Sequence, residues 1–452
     1  MLKFKYSDVT FYILLITTIY ILIYNIFHYS PILGYDAEAH FNYVNFMAMY
    51  LPEKFTLPSA EETREFFNPP IGYLFPSVIQ VLCRNVINSS NYITDCEPVY
   101  AKATQIFQSM LYLFTIFINL YTLKLFNGSK KLINTEYLIL VSLLAVNYRT
   151  LSMIRGEPYI LFFMSLFLLL IYKAELRDFK LDLKHITALG VVIACLALSR
   201  QWAFLLFLPI IILAITPNLK FKYRHFKFWL VSSFIGALGS SWFYLNLFLD
   251  YGSFTTFNQS RTPFSFKNQT FNFYIPTMDQ LTFVFNKPIR PYLDNQFISI
   301  LYSDLWGDYW GYFTFTSRFL DVGRDQALIG DYLARVNIVS LLTTLIIFIL
   351  CFLTVRLFKN NYFIKYIKIS ILTSIFGYLL FTISFPEGNG DTIKASYILQ
   401  LFNLLVLLAS IYFYKLKNIN KRTYNITLTL LIFIYIHNFQ TYLSHFPINF
   451  YP

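Results

Sequence analysis

Long apolar runs alternate with short polar, basic segments from one end of the chain to the other. A stretch of about 18 or more apolar residues is typical of a helix that crosses a bilayer. Eleven segments reach or approach that length, at about residues 9–29, 99–126, 135–154, 157–173, 186–199, 201–217, 229–249, 336–357, 369–386, 396–414 and 424–443. The pattern predicts an all-α integral membrane protein with about 11 transmembrane helices.

The run over 186–217 and the first segment differ from a simple membrane span. The apolar run over 186–217 is too long for one span and is interrupted by Ser199, Arg200 and Gln201, so we predict two short helices with a polar apex. The first segment has no small-residue cleavage site after it, which indicates a membrane anchor and not a removed signal peptide.

Composition and charge agree with this prediction. Of the 452 residues, 56% are hydrophobic and 13% are charged, whereas a soluble domain carries about 25% charged residues. An ordinary soluble enzyme is thereby excluded. The net charge of +12 does not indicate nucleic-acid binding, because in a membrane protein basic residues collect in cytoplasmic loops.

The distribution of basic residues predicts how the chain is oriented in the membrane. If the N-terminus is cytoplasmic, the inside segments hold 21 of the 36 basic residues and five of the 24 acidic ones. This asymmetry predicts an N-in, C-out chain. Two non-cytoplasmic segments, 30–98 and 250–335, are then long enough to hold structure, and we expect function there. Cys83 and Cys96 in the first segment either form a disulfide, if they face an oxidising compartment, or stay unpaired.

The first external segment carries candidate chemistry. On a helix that begins near Tyr35, the side chains of Asp36, His40 and Tyr43 share one face, and Glu38 turns away from it. The alternative is that Asp36 caps this helix and His40 lies on an amphipathic surface. Further on, Pro69-Pro70 suits the start of a second, interfacial helix over 71–84.

Charged residues recur at other predicted external span ends. Arg155 and Glu157 lie where the third span ends, and Arg200 lies at the junction of two short helices. Ionisable groups at membrane depth are costly and mark functional sites. The alternatives are an interfacial Arg155–Glu157 ion pair and a snorkelling Arg200. Lys394, beside Tyr397 after a Gly-rich turn, is either part of this set or an interfacial anchor. Acids that activate a hydroxyl and cations that hold a phosphate are what sugar transfer from a lipid phosphate requires.

The order of these motifs resembles a known family. The run from Tyr35 to His40, followed by the run from Asn68 to Tyr73, resembles the first external loop of the GT-C superfamily of polytopic glycosyltransferases, nearest in pattern to the protein-mannosyltransferase-like and aminoarabinose-transferase-like enzymes. Later motifs also resemble this group, namely Arg155–Pro158, Trp242–Asn246 with Tyr251-Gly252, and Lys394–Leu399. The chain differs in Ile71 and Gly72, where Leu and Tyr are usual, and in Glu157, where Asp is usual. These differences leave the donor sugar and the identity of the base open.

The resemblance implies a GT-C-like transmembrane module over 1–250 that includes the external loop 30–98, an acceptor-side region over 251–335, and C-terminal helices over 336–452. It implies transfer of a monosaccharide, with inversion, from a polyprenyl-phosphate donor to a hydroxyl of a glycan, lipid or protein. The membrane would be a bacterial inner membrane or a eukaryotic endoplasmic reticulum. No cofactor is firmly implied, and a divalent cation stays open.

By the same resemblance Asp36 is the base, Glu157 orients the acceptor or the base, and His40 positions Asp36. The donor phosphate would be bound by Arg200, Lys394, Arg155 and Tyr397. Substrate contacts would come from Glu38, Tyr43, Pro70, Tyr73, Trp306 and Asp308. For Trp306 and Asp308, packing in an aromatic belt is the alternative.

Two other functions remain open. A surface-polysaccharide ligase or polymerase would share lipid-linked substrates but would use a pyrophosphate-linked oligosaccharide. A transporter would need ionisable groups near the middle of the membrane, whereas the charges singled out here lie at predicted span ends and in external loops.

Overall fold

The computed structural model describes residues 6–87, 91–215, 222–315 and 324–445, and every regular element in these ranges is helical. The α-helices are α1 (Tyr6–His28), α2 (Ala37–Tyr50), α3 (Ile71–Ile87), α4 (Tyr92–Asn127), α5 (Thr135–Ser142), α6 (Ala145–Leu151), α7 (Glu157–Leu176), α8 (Leu183–Ala197), α9 (Leu208–Ile215), α10 (Lys222–Tyr251), α11 (Phe271–Tyr274), α12 (Met278–Val284), α13 (Phe297–Trp306), α14 (Arg324–Leu357), α15 (Tyr362–Ser384), α16 (Leu399–Ile419) and α17 (Lys421–His437). Short 3-10 helices cover Pro31–Leu33, Gln201–Leu206, Phe266–Asn268, Ala395–Ile398 and Phe439–Tyr442. The predicted all-α class is confirmed.

Within these ranges, seven helical stretches are long and apolar enough to cross a membrane. They are Asp8–His28, Ile93–Asn127, Glu157–Leu176, Tyr223–Tyr251, Ile329–Leu357, Tyr362–Ser384 and Ala395–Ile419. The four remaining predicted segments are also helical but shorter: α5 with α6, α8, the 3-10 helix with α9, and α17. The chain is therefore a multi-pass integral membrane protein. The polar apex between α8 and the 3-10 helix at Gln201 is confirmed, whereas the segment 135–154 is divided into two helices.

The helices form two compact units that interleave in sequence. The C-terminal unit comprises the residues up to Tyr29, Leu123–Thr150 and the chain from Arg261 onward. At its centre, α16 packs against α5, α14, α15 and α17, and α1 packs on α5. A helix that is apolar around most of its circumference is stable only when surrounded by other helices or lipid, and α16 is buried along nearly its whole length.

The first-loop unit comprises Ser30–Thr122 and Leu151–Ser260. Here α2 packs on α3, while α8 packs on both α7 and α10. The helix predicted after Pro70 begins at Ile71, and α2 and α3 both lie within segment 30–98, whose external location stays a prediction. Cys83 and Cys96 form a disulfide that ties the end of α3 to the start of α4. The predicted division of the chain near residues 250 and 335 stays a prediction.

Candidate active site

Asp36 immediately precedes α2, and its side chain does not cap that helix. Its backbone is left-handed, with φ 51° and ψ 23°, and its carboxylate makes no capping hydrogen bond. Positive φ is uncommon outside glycine, although aspartate is among the residues that adopt it. The carboxylate Oδ1 lies 3.3 Å from Nη2 of Arg64, and the Asp36 side chain is 21% exposed. Asp36 is thus a partly exposed carboxylate with a cation beside it, and the capping alternative is wrong.

The buried face of α2 meets α3 through aromatic groups. Nδ1 of His40 lies 2.7 Å from the Tyr73 hydroxyl, and the Tyr43 ring stacks on the Tyr73 ring at 3.8 Å between centroids. The Tyr43 hydroxyl donates to the Asn68 carbonyl at 3.0 Å. Burial raises the pKa of both tyrosines above their ordinary value, so both phenols are neutral at physiological pH. His40 and Tyr43 therefore share a face, and His40 is buried instead of lying on an amphipathic surface.

Pro70 and Glu38, two further predicted substrate contacts, differ in exposure: Pro70 is buried and Glu38 is exposed. Pro70 is buried, and its carbonyl accepts the Tyr73 backbone N–H at 2.9 Å at the start of α3. Glu38 points to the exposed side of α2, as its position in the helical repeat predicts.

A buried charge cluster, formed by Glu65, Arg155, Glu157 and Arg200, lies in the same unit. Oε1 of Glu157 is 2.9 Å from Nη2 and 3.0 Å from Nε of Arg200. Oε2 of Glu157 is 3.5 Å from Nε of Arg155, and Nη1 of Arg200 is 3.6 Å from Oε2 of Glu65. All four side chains are no more than 5% exposed. Because two carboxylates face two guanidinium groups, each buried charge has a partner.

Glu65 links this cluster to α2 and α3. Its Oε2 is 4.0 Å from Nδ1 of His40 and accepts a hydrogen bond from the Asn68 amide. The loop that carries Glu65 is anchored by the hydroxyl of Thr63, which donates to the Ala39 carbonyl at 2.7 Å. A continuous set of polar contacts therefore runs from Glu157 to His40.

Glycine permits the helix ends to meet at this point. A Cβ added to Gly156 would lie 2.3 Å from the Ser199 carbonyl oxygen, and one added to Gly72 would lie 2.9 Å from the Gly156 Cα. The Ile71 backbone N–H also donates to the Leu198 carbonyl at 3.1 Å. The starts of α3 and α7 and the end of α8 are thus in direct backbone contact, which allows Arg200 to reach Glu157.

A second set of buried charges lies in the C-terminal unit. Nη2 of Arg149 is 2.9 Å from Asp304, and Nη1 is 3.6 Å from Asp308. Arg149 also donates to the carbonyls of Asp304 and Gly307, each at 2.7 Å. The other oxygen of Asp304 accepts the Ala395 N–H at 2.7 Å. Burial raises the pKa of the Asp304 carboxyl above its ordinary value, and the Arg149 guanidinium opposes that rise.

The remaining predicted residues belong to this second set. Lys394 is 5% exposed, with Nζ 5.5 Å from the Tyr397 ring centre, so it is not a surface anchor. Trp306 donates to the Thr344 hydroxyl at 3.1 Å. Asp308 is fully buried and accepts two backbone N–H groups at 2.8 Å each. The acceptor contact predicted for Trp306 and Asp308 stays a prediction, and their contacts here hold the local chain conformation.

Three charged residues of these sites were not found by sequence reasoning: Arg64 beside Asp36, Glu65 in the buried charge cluster and Arg149 in the second set. Arg149 had a usable signal, since it lies inside an apolar segment where an arginine is costly. Arg64 and Glu65 lie in the loop between α2 and α3, and no periodic pattern in that loop predicts which residues they contact. In the part of the chain that the structure describes, no three His, Cys, Asp or Glu side chains are grouped as metal ligands.

Comparison with known proteins gave few matches. No family model matches the sequence, and no curated protein does. The structure is similar to that of ArnT from Cupriavidus metallidurans bound to undecaprenyl phosphate, with 10% sequence identity and a TM-score of 0.40 over 88% of this chain and 76% of that one. The apo state of the same protein gives 10% identity and a TM-score of 0.37 over the same shares of the two chains.

Proposed function

We propose that this chain is a membrane glycosyltransferase that moves a monosaccharide from a polyprenyl-phosphate donor to a hydroxyl acceptor on the non-cytoplasmic face. One observation carries the proposal. Asp36, shortly after the first candidate span, is a partly exposed carboxylate beside the 57% exposed guanidinium of Arg64. The loop that supplies Arg64 also supplies Glu65 to the buried charge cluster. The contact of Glu65 with Arg200 therefore anchors the loop that places Arg64 beside Asp36.

The chemistry follows from these groups. Asp36 accepts the proton of the acceptor hydroxyl as that oxygen forms a bond to the anomeric carbon of the donor sugar. The bond between this carbon and the phosphate oxygen breaks, and polyprenyl phosphate leaves with the bonding electron pair. Attack opposite the leaving group inverts the anomeric configuration. A positioned carboxylate base contributes roughly 10²- to 10⁴-fold to the rate.

The leaving phosphate needs an accessible cation. We assign this role first to Arg64, because its side chain is 57% exposed, whereas Arg155 and Arg200 are buried against carboxylates inside the protein. Arg155, Arg200 and Glu157 then act as positioning residues, and His40 positions α2 through its contacts with Tyr73 and Glu65. Lys394 and Tyr397 stay predicted phosphate contacts.

The test is turnover by the purified full-length protein. A panel of polyprenyl-phosphate monosaccharides is supplied with a crude acceptor extract, and release of polyprenyl phosphate is measured. We expect Asp36→Asn to lower the rate at least about 100-fold, with unchanged elution on size exclusion and an unchanged unfolding temperature. The matched control is Glu53→Gln, an exposed carboxylate in the same external loop, which should keep the wild-type rate.

Each contrary outcome has a distinct meaning. Release from pyrophosphate-linked oligosaccharides alone would replace the proposal with a polysaccharide ligase or polymerase. Release that is equal in wild type and Asp36→Asn would remove Asp36 from the reaction. Absence of release from every donor would overturn the transferase assignment and favour a transporter.

A further inference from the structure

A cleft of about 360 Å³ lies in the first-loop unit between the end of α10 and the loop that follows α2. Trp242, Asn246 and Asp250 line it from α10. They are spaced four residues apart, so their side chains lie on one helix face. Lys54 and Phe55 line the opposite side.

The wall combines aromatic rings with exposed polar groups. Phe55 and Trp242 meet edge to face at 5.7 Å between centroids, and Trp242 is 37% exposed. Asn246 and Asp250 are exposed, and among the described residues neither side chain is bonded to another protein group. The cleft is therefore built around a flat aromatic surface, with an amide and a carboxylate available to a ligand.

This chemistry fits a sugar ring. The electron-rich face of an aromatic ring attracts the partially positive C–H groups on one side of a pyranose. The ring hydroxyls donate to a carboxylate, and an amide both donates and accepts. An aromatic belt at the membrane surface explains exposed Trp and Tyr residues but not a carboxylate and an amide on the same helix face. We propose that this cleft binds a sugar residue of the acceptor.

The cleft is close to Asp36 along a short, well-anchored loop. Phe66 lines the cleft and packs on Tyr251 at 4.7 Å, and Arg64, two residues earlier, pairs with Asp36. Two residues of extended chain span at most about 7 Å. The Tyr251 hydroxyl also accepts the Ala60 backbone N–H at 3.1 Å, which fixes the loop against α10. The assignment to the acceptor rests on the proposed function, whereas sugar binding itself does not.

The test is direct binding to the full-length protein in detergent. Methyl glycosides of glucose, mannose and galactose serve as probes, and saturation-transfer NMR gives their dissociation constants. We expect at least one glycoside to bind, and we expect Trp242→Leu and Asp250→Asn each to weaken that binding about tenfold. The controls are Phe226→Leu, an exposed aromatic residue at the other end of α10, and Asp279→Asn, an exposed carboxylate outside the cleft. Both should bind like wild type.

Two results would overturn the site: no glycoside binds, or binding is indifferent to both cleft variants. Asp36→Asn separates this question from turnover, because that variant should keep glycoside binding even though its release of polyprenyl phosphate is at least about 100-fold slower. Loss of turnover with retained binding thus bears on the reaction, and loss of binding bears on the cleft.

Discussion

Glu157 is completely buried, and its carboxylate faces two arginines within 3.5 Å. Removing one member of a buried ion cluster leaves the other charges without compensation, which costs about 3–5 kcal/mol. We therefore expect Glu157→Gln to lower stability by about that amount, because Arg155 and Arg200 would keep their positive charges in a site that water does not reach. Thermal unfolding followed by tryptophan fluorescence in detergent measures the change.

Glu53→Gln, which removes an exposed carboxylate, should unfold at the wild-type temperature. An unchanged unfolding temperature for Glu157→Gln would show that the buried charge cluster does not contribute to stability. In that case a loss of turnover in the variant would have to come from the reaction itself.

At the level of single residues, sequence reasoning located some side chains and missed their partners. The helical repeat placed His40 and Tyr43 on one face, and their shared contacts with Tyr73 agree with it. Arg64 and Glu65 come from an irregular loop, and nothing in their local sequence specifies contact with Asp36 and Arg200. Contacts between residues distant in sequence depend on the packed fold, which periodicity does not encode.

The helix junction at Gly156 provides a test at the level of elements. The backbone of Gly156 has φ −85°, which any residue adopts, so only space makes glycine necessary. An alanine Cβ there would meet the Ser199 carbonyl oxygen at 2.3 Å. We expect Gly156→Ala to separate α7 from the end of α8 and to cost roughly 1–3 kcal/mol through overpacking, measured as a lower unfolding temperature.

Gly388→Ala is the matched control, because no heavy atom lies within 4 Å of the added Cβ. It should unfold like wild type. If Gly156→Ala were equally stable, the close contact of these helix ends would be wrong, and so would the explanation of how Arg200 reaches Glu157.

Apolar run length predicted the elements well. Within the described residues all eleven apolar segments are helical, and the helix predicted after Pro70 begins at Ile71, since proline is favourable at a helix start. The division of segment 135–154 into α5 and α6 was not predictable, because residues 135–154 contain neither proline nor glycine to mark it.

For the whole molecule, contacts inside the C-terminal unit agree with the predicted alternation of sides. Lys131 binds Asp8 at 2.8 Å, and both lie in segments predicted to be cytoplasmic. Asn25 accepts the Ser444 N–H at 2.8 Å, and both lie at predicted external ends. These contacts sort helix ends into two sets, and only the distribution of basic residues decides which set faces the cytoplasm. The N-in, C-out orientation stays a prediction.

Cysteine labelling tests that orientation and with it the side on which Asp36 works. The background replaces the free Cys195 and Cys351 with alanine and keeps the disulfide between Cys83 and Cys96, which does not react with maleimide. Single cysteines then replace two exposed residues, Glu61 in the loop predicted to be external and Lys180 in a basic loop predicted to be cytoplasmic. In intact cells a membrane-impermeant maleimide should label Glu61→Cys alone, and it should label Lys180→Cys only after lysis. The reverse pattern would place Asp36 and the sugar cleft in the cytoplasm, because both share the first-loop unit with Glu61, and a donor presented on the outer face would then be excluded.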